Sequence, residues 1–151
     1  MYLHPSVLPQ VCDLVYPYYP PKDPCHLATI ATWADRIRPF PQWRWAAAFH
    51  YVGGIGDWPP ETCKFGEDGW EGKDGVNVLA GIWNTTRWVR DGRGGGEPLK
   101  FLIHFLGDLH QPLHLTARER GGNGGMPIHC GLESLINTLD SQGSFPSPFH
   151  E

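Results

Sequence analysis

The sequence lacks several features that would place it in a common functional class. It has no uninterrupted apolar run of about 18 residues, the length that a membrane-spanning helix needs. None of its four cysteines forms a C-x-x-C pair, which argues against a zinc ribbon or a thioredoxin-type motif. It also has no excess of basic residues, because its formal net charge is −4. This argues against a groove that holds nucleic acid by its own charge, so phosphate chemistry would need metal ions.

The periodicity of the sequence predicts a single domain of the all-α class. Its 151 residues match the length of one domain, and no internal repeat or clear strand pattern is present. Helical spacing of apolar residues is found in three segments, namely residues 23–39, 75–92 and 97–111. Residues 1–22 show no clear period, residues 40–52 are ambiguous between helix and extended chain, and residues 53–75 have the composition of a loop.

The third predicted helix is apolar on nearly all sides except for one narrow stripe. The stripe, at spacings of 3, 4, 4 and 3, consists of Glu97, Lys100, His104, Asp108 and Gln111. We expect this helix to be the most buried element of the fold. The side chains expected to be nearly inaccessible are Leu102, Ile103, Phe105, Leu106 and Leu109. The polar stripe would then face a shared interior site, since an ionised aspartate is not buried without a partner.

The segment HFLGDLHQPLH, residues 104–114, carries the chemistry. His104 and Asp108 are four residues apart on one face, the spacing with which helices present two ligands to one metal ion. His110 and His114 follow the helix end and can reach a second position nearby. A simple hydrogen bond between His104 and Asp108 is the structural alternative. A mixed set of histidine and carboxylate suits zinc or another borderline divalent cation, and is typical of a catalytic centre.

Four stretches in the same order resemble the single-strand-specific zinc nucleases, the S1/P1 family, whose fold is related to zinc-dependent phospholipase C. They are ATIATWADRIR (28–38), FHYVGGIGDWPPETC (49–63), GIWNTT (81–86) and LKFLIHFLGDLHQPLH followed by GGN. The resemblance covers about residues 25–124 and implies a mostly helical, monomeric enzyme with three zinc ions and no membrane association. It implies hydrolysis of phosphodiester bonds in single-stranded RNA and DNA by water that zinc activates, and removal of 3′-phosphates from nucleotides.

The resemblance also implies a role for individual residues. The expected ligands of the first zinc ion are Asp35, His50, His104 and Asp108. Asp108 would bridge to a second ion, His114 would bind the third, and Arg38 would contact the phosphate. Without the resemblance, the ordinary structural alternatives are a surface acid for Asp35, a hydrogen-bonded core histidine for His50 and a cation at a helix end for Arg38. His110 has no ligand role in the family pattern, and we expect it to orient a ligand through a hydrogen bond.

The resemblance further implies secretion, with Asn84 of the triplet Asn84-Thr85-Thr86 as a glycosylation acceptor. The first residues, MYLHPSVLPQ, do not form a signal-peptide pattern, so either the protein is not secreted or its true start is missing. The spacing of the cysteines fixes no disulfide pairing. Cys63 matches a family cysteine whose partner would lie beyond the resembling part.

The sequence departs from the family pattern at several points. The N-terminal Trp and His that bind zinc are missing, Gly53 replaces an acid, and no second His-x-x-x-Asp follows Asn123. We therefore expect a divergent segment at 1–24, a partial nuclease-like domain at 25–124 and a divergent tail at 125–151. We expect this chain to hold fully only one of the three zinc ions of the family. Two hypotheses stay open, which are a fragment of a zinc nuclease and a non-catalytic zinc-binding remnant of one.

Overall fold

The structure is a computed structural model that describes residues 4–17, 26–56, 66–72, 75–115 and 119–123. The α-helices are α1 (Leu8–Val15), α2 (Ala28–Ala31), α3 (Trp33–Ile37), α4 (Val78–Arg90), α5 (Glu97–Leu109) and α6 (Glu119–Gly122). Two segments, Pro41–Phe49 and Pro112–Leu115, are 3₁₀-helical. Within the described ranges the only β-type pairing is an isolated bridge between Gly54 and Trp70, so the predicted all-α class is confirmed.

Helix α5 is the central element, as its apolar composition predicts. It packs against α1, α2, α3, α4 and the second 3₁₀ segment, and its most extensive contact is with α4. Its Phe101 ring lies 5.1 Å from the ring of Trp33 and 5.4 Å from that of Trp45, in an edge-on and a tilted arrangement. Aromatic pairs in such geometries contribute beyond the area they bury. The aromatic core thus fixes α5 against the segments that precede it.

The helix boundaries differ from the predicted ones in two places. The helix expected at 23–39 is divided into α2 and α3 at Thr32, whose φ of −94° and ψ of 4° leave the helical range. Its expected start at Asp23 and Pro24 lies outside the described residues. Helix α1 was not predicted, because prolines and tyrosines obscure the pattern of residues 1–22. The spacing of its buried Cys12 and Val15 is the helical signal in that segment.

The predicted burial of α5 is only partly correct. Phe105 is 1% exposed, as expected, but Leu102, Ile103, Leu106 and Leu109 are only half-buried. The fully buried residues of the helix interior instead include Phe101, His104 and Asp108. The reason is that the described elements cover the face carrying those residues more closely than the opposite faces. The polar pair His104 and Asp108 is therefore more deeply buried than the leucines of α5, which the sequence pattern placed in the core.

Helices α4 and α5 approach closely at Gly81. A Cβ atom at this position would lie 3.0 Å from Cδ2 of Phe105 and 3.2 Å from Cβ of Phe49, closer than ordinary van der Waals contact. Gly81 therefore has a packing role although glycine weakens a helix interior. None of the described helices has the length and apolarity that a membrane crossing would require.

We predict opposite effects for substitutions at the two interior glycines of α4 and α5. Gly81→Val should lower the free energy of unfolding by about 1–3 kcal/mol, because the added atoms collide with Phe105. Gly107→Ala is the matched control, since no described atom lies within 4 Å of its Cβ position. It should raise the free energy of unfolding by up to about 1 kcal/mol through helix propensity. Urea unfolding monitored by circular dichroism measures both, and equal effects would contradict the packing role.

Candidate metal centre

Four side chains from separate parts of the chain converge at the C-terminal half of α5. Asp35 comes from α3, His50 directly follows the first 3₁₀ segment, and His104 and Asp108 are one turn apart on α5. His104 Nε2 lies 2.9 Å from His50 Nδ1, and Asp108 Oδ2 lies 3.1 Å from each of these nitrogens. Asp35 Oδ1 is 3.7 Å from His50 Nδ1 and 3.6 Å from His104 Nε2. We call these four residues the His/Asp cluster.

Backbone hydrogen bonding fixes the orientation of His104. Its Nδ1–H donates to the carbonyl oxygen of Ala31 in α2 at 2.5 Å, which directs Nε2 into the cluster. This is the usual way in which a second hydrogen bond sets the tautomer of a metal-binding histidine. His50 presents Nδ1 to the cluster, and its buried Nε2 has no hydrogen-bond partner among the described residues. Both rings therefore aim one nitrogen at the same point.

Burial and pairing act against each other on the ionisation of the buried pair. Burial alone would lower the pKa of His104, but its hydrogen bonds to Asp108 and to the Ala31 carbonyl, together with the nearby negative charges, raise that pKa above its ordinary value of 6.5. Burial would raise the pKa of Asp108, but its hydrogen bonds with His104 and His50 lower that pKa below 3.8. Without a metal ion, these two shifts both favour a protonated imidazole beside a carboxylate.

The donor set fits a single divalent cation. One ligand atom from each of Asp35, His50 and His104 lies within 4.8 Å of the others, with the two histidines buried and Asp35 exposed. Four donors at zinc–ligand distances of about 2.0–2.2 Å in a tetrahedron stand about 3.3–3.6 Å apart. The contacts among Asp35, His50 and His104, 2.9–3.7 Å, bracket that spacing. The structure therefore contains a possible metal-binding group.

The structure brings two more of the expected site residues to the edge of the cluster. His114 Nε2 lies 3.8 Å from Oδ1 of Asp108, the carboxylate oxygen that does not face His50 and His104. Its Nδ1–H donates to the carbonyl of Gly121 at 2.6 Å, so Nε2 is again the free nitrogen. Arg38 Nη1 lies 4.0 Å from Asp35 Oδ1 on the solvent side. Asp108 thus directs Oδ2 to the position beside His50 and His104, and Oδ1 to a neighbouring position beside His114.

Two other expected residues lie apart from the cluster. His110 is exposed, and its Nδ1–H donates to the Leu106 carbonyl of its own helix at 2.6 Å. Among the described residues no hydrogen bond joins it to the cluster, and its orienting role stays a prediction. Asn84 is exposed on α4. The backbone carbonyls of Ala31 and Gly121, which orient His104 and His114, were not predicted. Backbone acceptors carry no residue-type signal, so the sequence could not indicate them.

The two shifted pKa values set the pH range in which the metal-free cluster stabilises the fold. For His104 the pKa is raised, so its contribution is complete below about 6.5 and is lost as the pH rises through the folded-state pKa. For Asp108 the pKa is lowered, so its contribution is complete above about 3.8 and is lost as the pH falls through the folded-state pKa. The pair therefore stabilises the metal-free chain fully between these two values.

We predict that Asp108→Asn lowers the pKa of His104 in the chelator-treated chain. The substitution removes the largest influence that raises this pKa, and burial then favours the neutral ring. Asp35→Asn is the matched control and should lower the pKa less, because Asp35 is exposed and acts on His104 only through its charge. The ring Cε1–H resonance in an NMR pH titration measures both. An unchanged His104 pKa in Asp108→Asn would contradict the pairing.

Comparison with known proteins agrees with this geometry. The chain is 38% identical over 102 residues to Nuclease P1 of Penicillium citrinum, an alignment that covers 65% of this chain and 37% of that protein. It is 36% identical over 102 residues to Nuclease S1 of Aspergillus oryzae, covering 66% of this chain and 35% of that protein. Endonuclease 3 of Arabidopsis thaliana is 34% identical over 97 residues, covering 58% and 31%. The chain thus spans about a third of the length of these relatives.

The family model for S1/P1 nucleases matches residues 2–131 of the chain. The match extends beyond the predicted 25–124 domain at both ends, and the placement of those boundaries stays a prediction. It includes all the elements described above and each residue of the His/Asp cluster. The chain belongs to the S1/P1 nuclease family.

Proposed function

We propose that this protein is a zinc-dependent nuclease that hydrolyses phosphodiester bonds of single-stranded RNA and DNA, and that it also removes 3′-phosphates from nucleotides. The observation that carries the proposal is the convergence of Asp35, His50, His104 and Asp108 with contacts of 2.9–3.7 Å. Family membership and the nuclease names of the relatives support it. Two imidazole nitrogens and two carboxylate oxygens are donors that suit zinc.

When bound, zinc would supply a Lewis acid that lowers the pKa of water and offsets negative charge on the phosphate. The residues of the chain have separate tasks around it. His50, His104, Asp35 and Asp108 would hold the ion, and the Ala31 carbonyl keeps the Nε2 lone pair of His104 directed at it. A cation at this point also accounts for how an acidic protein can receive an anionic substrate, since the chain has a net charge of −4.

Asp108 and His114 would provide donors for further zinc ions. The family resemblance implies three zinc ions, with Asp108 shared between two and His114 at another. In the described residues, Oδ1 of Asp108 and Nε2 of His114 are the donors at that side of the cluster. Two donors are fewer than the three or four that zinc sites normally use. We therefore propose that this chain holds one zinc ion firmly.

The alternative is a zinc-binding remnant that does not turn over. Gly53 stands where the family has an acid near the reacting centre, and it offers no side chain for proton transfer. Its carbonyl instead accepts a backbone hydrogen bond from Glu71 at 2.6 Å. The two functions make the same prediction for the first zinc ion and differ in hydrolysis.

We predict about one zinc ion per chain. Hydrolysis of single-stranded DNA or RNA near neutral pH should be slow but zinc-dependent if the chain is a nuclease, and undetectable if it is a remnant, since phosphoryl-transfer centres depend on several cations. His104→Ala should weaken zinc binding by more than about 100-fold, because loss of an outer hydrogen-bonding partner alone weakens metal binding by 10–100-fold. His110→Ala is the matched control and should leave zinc content unchanged. Elemental analysis and gel-based cleavage assays measure these outcomes.

Two results would contradict parts of this proposal. About three zinc ions with zinc-dependent cleavage would show that the 151-residue chain completes the centre, and would refute the remnant alternative. Absence of zinc binding in the folded wild-type chain would refute the cluster assignment itself. Equal losses in His104→Ala and His110→Ala would show that the effect is not specific to the cluster.

We predict that Arg38→Ala weakens binding of a nucleoside 3′-phosphate to the zinc-loaded chain by about 3- to 10-fold, because a partly exposed guanidinium contributes a screened, charge-assisted hydrogen bond. Zinc content should not change. Arg36→Ala is the matched control on the same helix, since the Arg36 guanidinium donates to the Thr29 carbonyl at 3.1 Å. Isothermal titration calorimetry measures the affinities. Equal weakening by both substitutions would indicate only a general charge effect.

We also propose that the protein is a secreted, monomeric glycoprotein with disulfide bonds. Asn84 is exposed on α4 and Thr86, which completes its triplet, is exposed as well. Cys12, which is buried on α1, is one of the four cysteines that would form such bonds. Cys25, Cys63 and Cys130 lie outside the described residues, so the pairing predicted for Cys63 is not addressed by the structure.

A further inference from the structure

A cavity of about 270 Å³ lies at the N-terminal half of α5, apart from the His/Asp cluster. It has no part in the function proposed above. Its principal lining residues are Trp43, Trp45, Trp88, Arg93, Glu97 and Phe101. The volume is near the lower end of the range for small-molecule pockets, about 300–1,000 Å³. It therefore has room for a single planar ring system and not for a folded segment of another protein.

The walls of this aromatic cavity are not closed by the core. Trp45 is 46% exposed and Trp88 is 37% exposed, although both are large apolar rings. Trp45 lies 6.4 Å from Trp43 and 5.4 Å from Phe101 between ring centroids, with interplanar angles of 45° and 49°. The rings are thus held at fixed tilts, with faces available to a third planar group. Aromatic faces of this kind stack with nucleobases regardless of sequence.

Two charged groups at the cavity distinguish it from a purely apolar groove. Arg93 lines the cavity, and Nη2 of its guanidinium lies 3.4 Å from Oδ2 of Asp91. A guanidinium can contact a phosphate, and the carboxylate of Glu97 can accept from an exocyclic amino group of a base. An apolar peptide would make no use of the exposed Arg93 and Glu97 side chains at the cavity. A nucleotide satisfies the rings and the charges together.

Rigid elements connect the cavity to the His/Asp cluster. Phe101 lines the cavity and Asp108 belongs to the cluster, and seven residues of α-helix place them about 10 Å apart along α5. The first 3₁₀ segment carries Trp45 into the cavity and ends directly before His50. A strand whose phosphate lies at the cluster can therefore reach the cavity with a neighbouring nucleotide.

We infer that the cavity lined by Trp43, Trp45 and Trp88 is a subsite that stacks one base of single-stranded nucleic acid outside the cleavage position. This inference rests on the proposed function for the class of ligand. Arg93 contacts the backbone phosphate of the stacked nucleotide, and Glu97 favours bases that carry an amino group. The subsite needs no metal ion, because it binds through ring faces.

The test uses binding of a short oligodeoxyadenylate to the full chain in the presence of a chelator and in a His104→Ala background. Trp88→Ala should weaken binding by about 5- to 100-fold, the effect of losing one stacked base. Trp83→Ala is the matched control, because Trp83 is 47% exposed on the same helix and does not line the cavity. It should change the affinity by less than about twofold, as expected for a side chain outside the contact. Circular dichroism verifies that each variant is folded.

Three further measurements test the same subsite. The oligonucleotide should quench tryptophan fluorescence of the Trp83→Ala chain but much less that of Trp88→Ala. Arg93→Gln should reduce the slope of log affinity against log salt by about one phosphate contact. A duplex of the same sequence should bind more weakly, because its bases are already stacked.

Several outcomes would overturn the inference. These are equal loss of affinity in Trp83→Ala and Trp88→Ala, equal binding of duplex and single strand, and no binding of the oligonucleotide under chelation. In the last case, zinc-dependent binding by the wild-type chain would leave the proposed nuclease function intact while refuting the aromatic subsite. If the wild-type chain binds the oligonucleotide but binds no zinc, the metal centre is refuted and the subsite stands.

Discussion

The arrangement of the site depends on a carboxylate, Asp108, that is almost completely buried beside two imidazole rings. A buried negative charge is stable only with a compensating partner, and a proton on His104 or a metal ion can supply it. The raised pKa of His104 and the lowered pKa of Asp108 express this requirement. A cation that enters the cluster must displace the proton from His104. Metal binding and protonation of His104 are thus alternative ways to compensate the buried charge of Asp108.

The aromatic core holds this charged group in place. Phe101 and Phe105 stack on each other along α5 with ring centroids 5.4 Å apart, and the ring centroid of Phe105 lies 5.5 Å from that of His50. The same rings lock α5 to the 3₁₀ segment that delivers His50. Because the core fixes both elements, the ligands can meet without depending on a flexible loop, which is the general requirement for a preorganised centre.

The two regions that we assign to the substrate, the His/Asp cluster and the aromatic cavity, would attract it by different interactions. The His/Asp cluster contains two carboxylates, so attraction for a phosphate there would have to come from a bound cation, and we propose Arg38 as a further contact. At the aromatic cavity the attraction comes mainly from ring faces, which act on every base. This division matches a substrate that is a polyanion with exposed bases, as single-stranded nucleic acid is. The chain belongs to the S1/P1 nuclease family, and this membership supports our choice of nucleic acid as the substrate for both regions.

The sequence by itself determined the helical class, the central place of α5 and the pairing of His104 with Asp108, because periodicity and i, i+4 spacing are local properties of a helix. It did not determine which face of α5 would be deepest, and the leucines predicted to be buried are only half-buried. It also could not indicate the Ala31 carbonyl as a partner of His104, or that Trp43 and Trp88 line one cavity. These depend on contacts between residues far apart in the chain, whose distances only the packed tertiary structure decides.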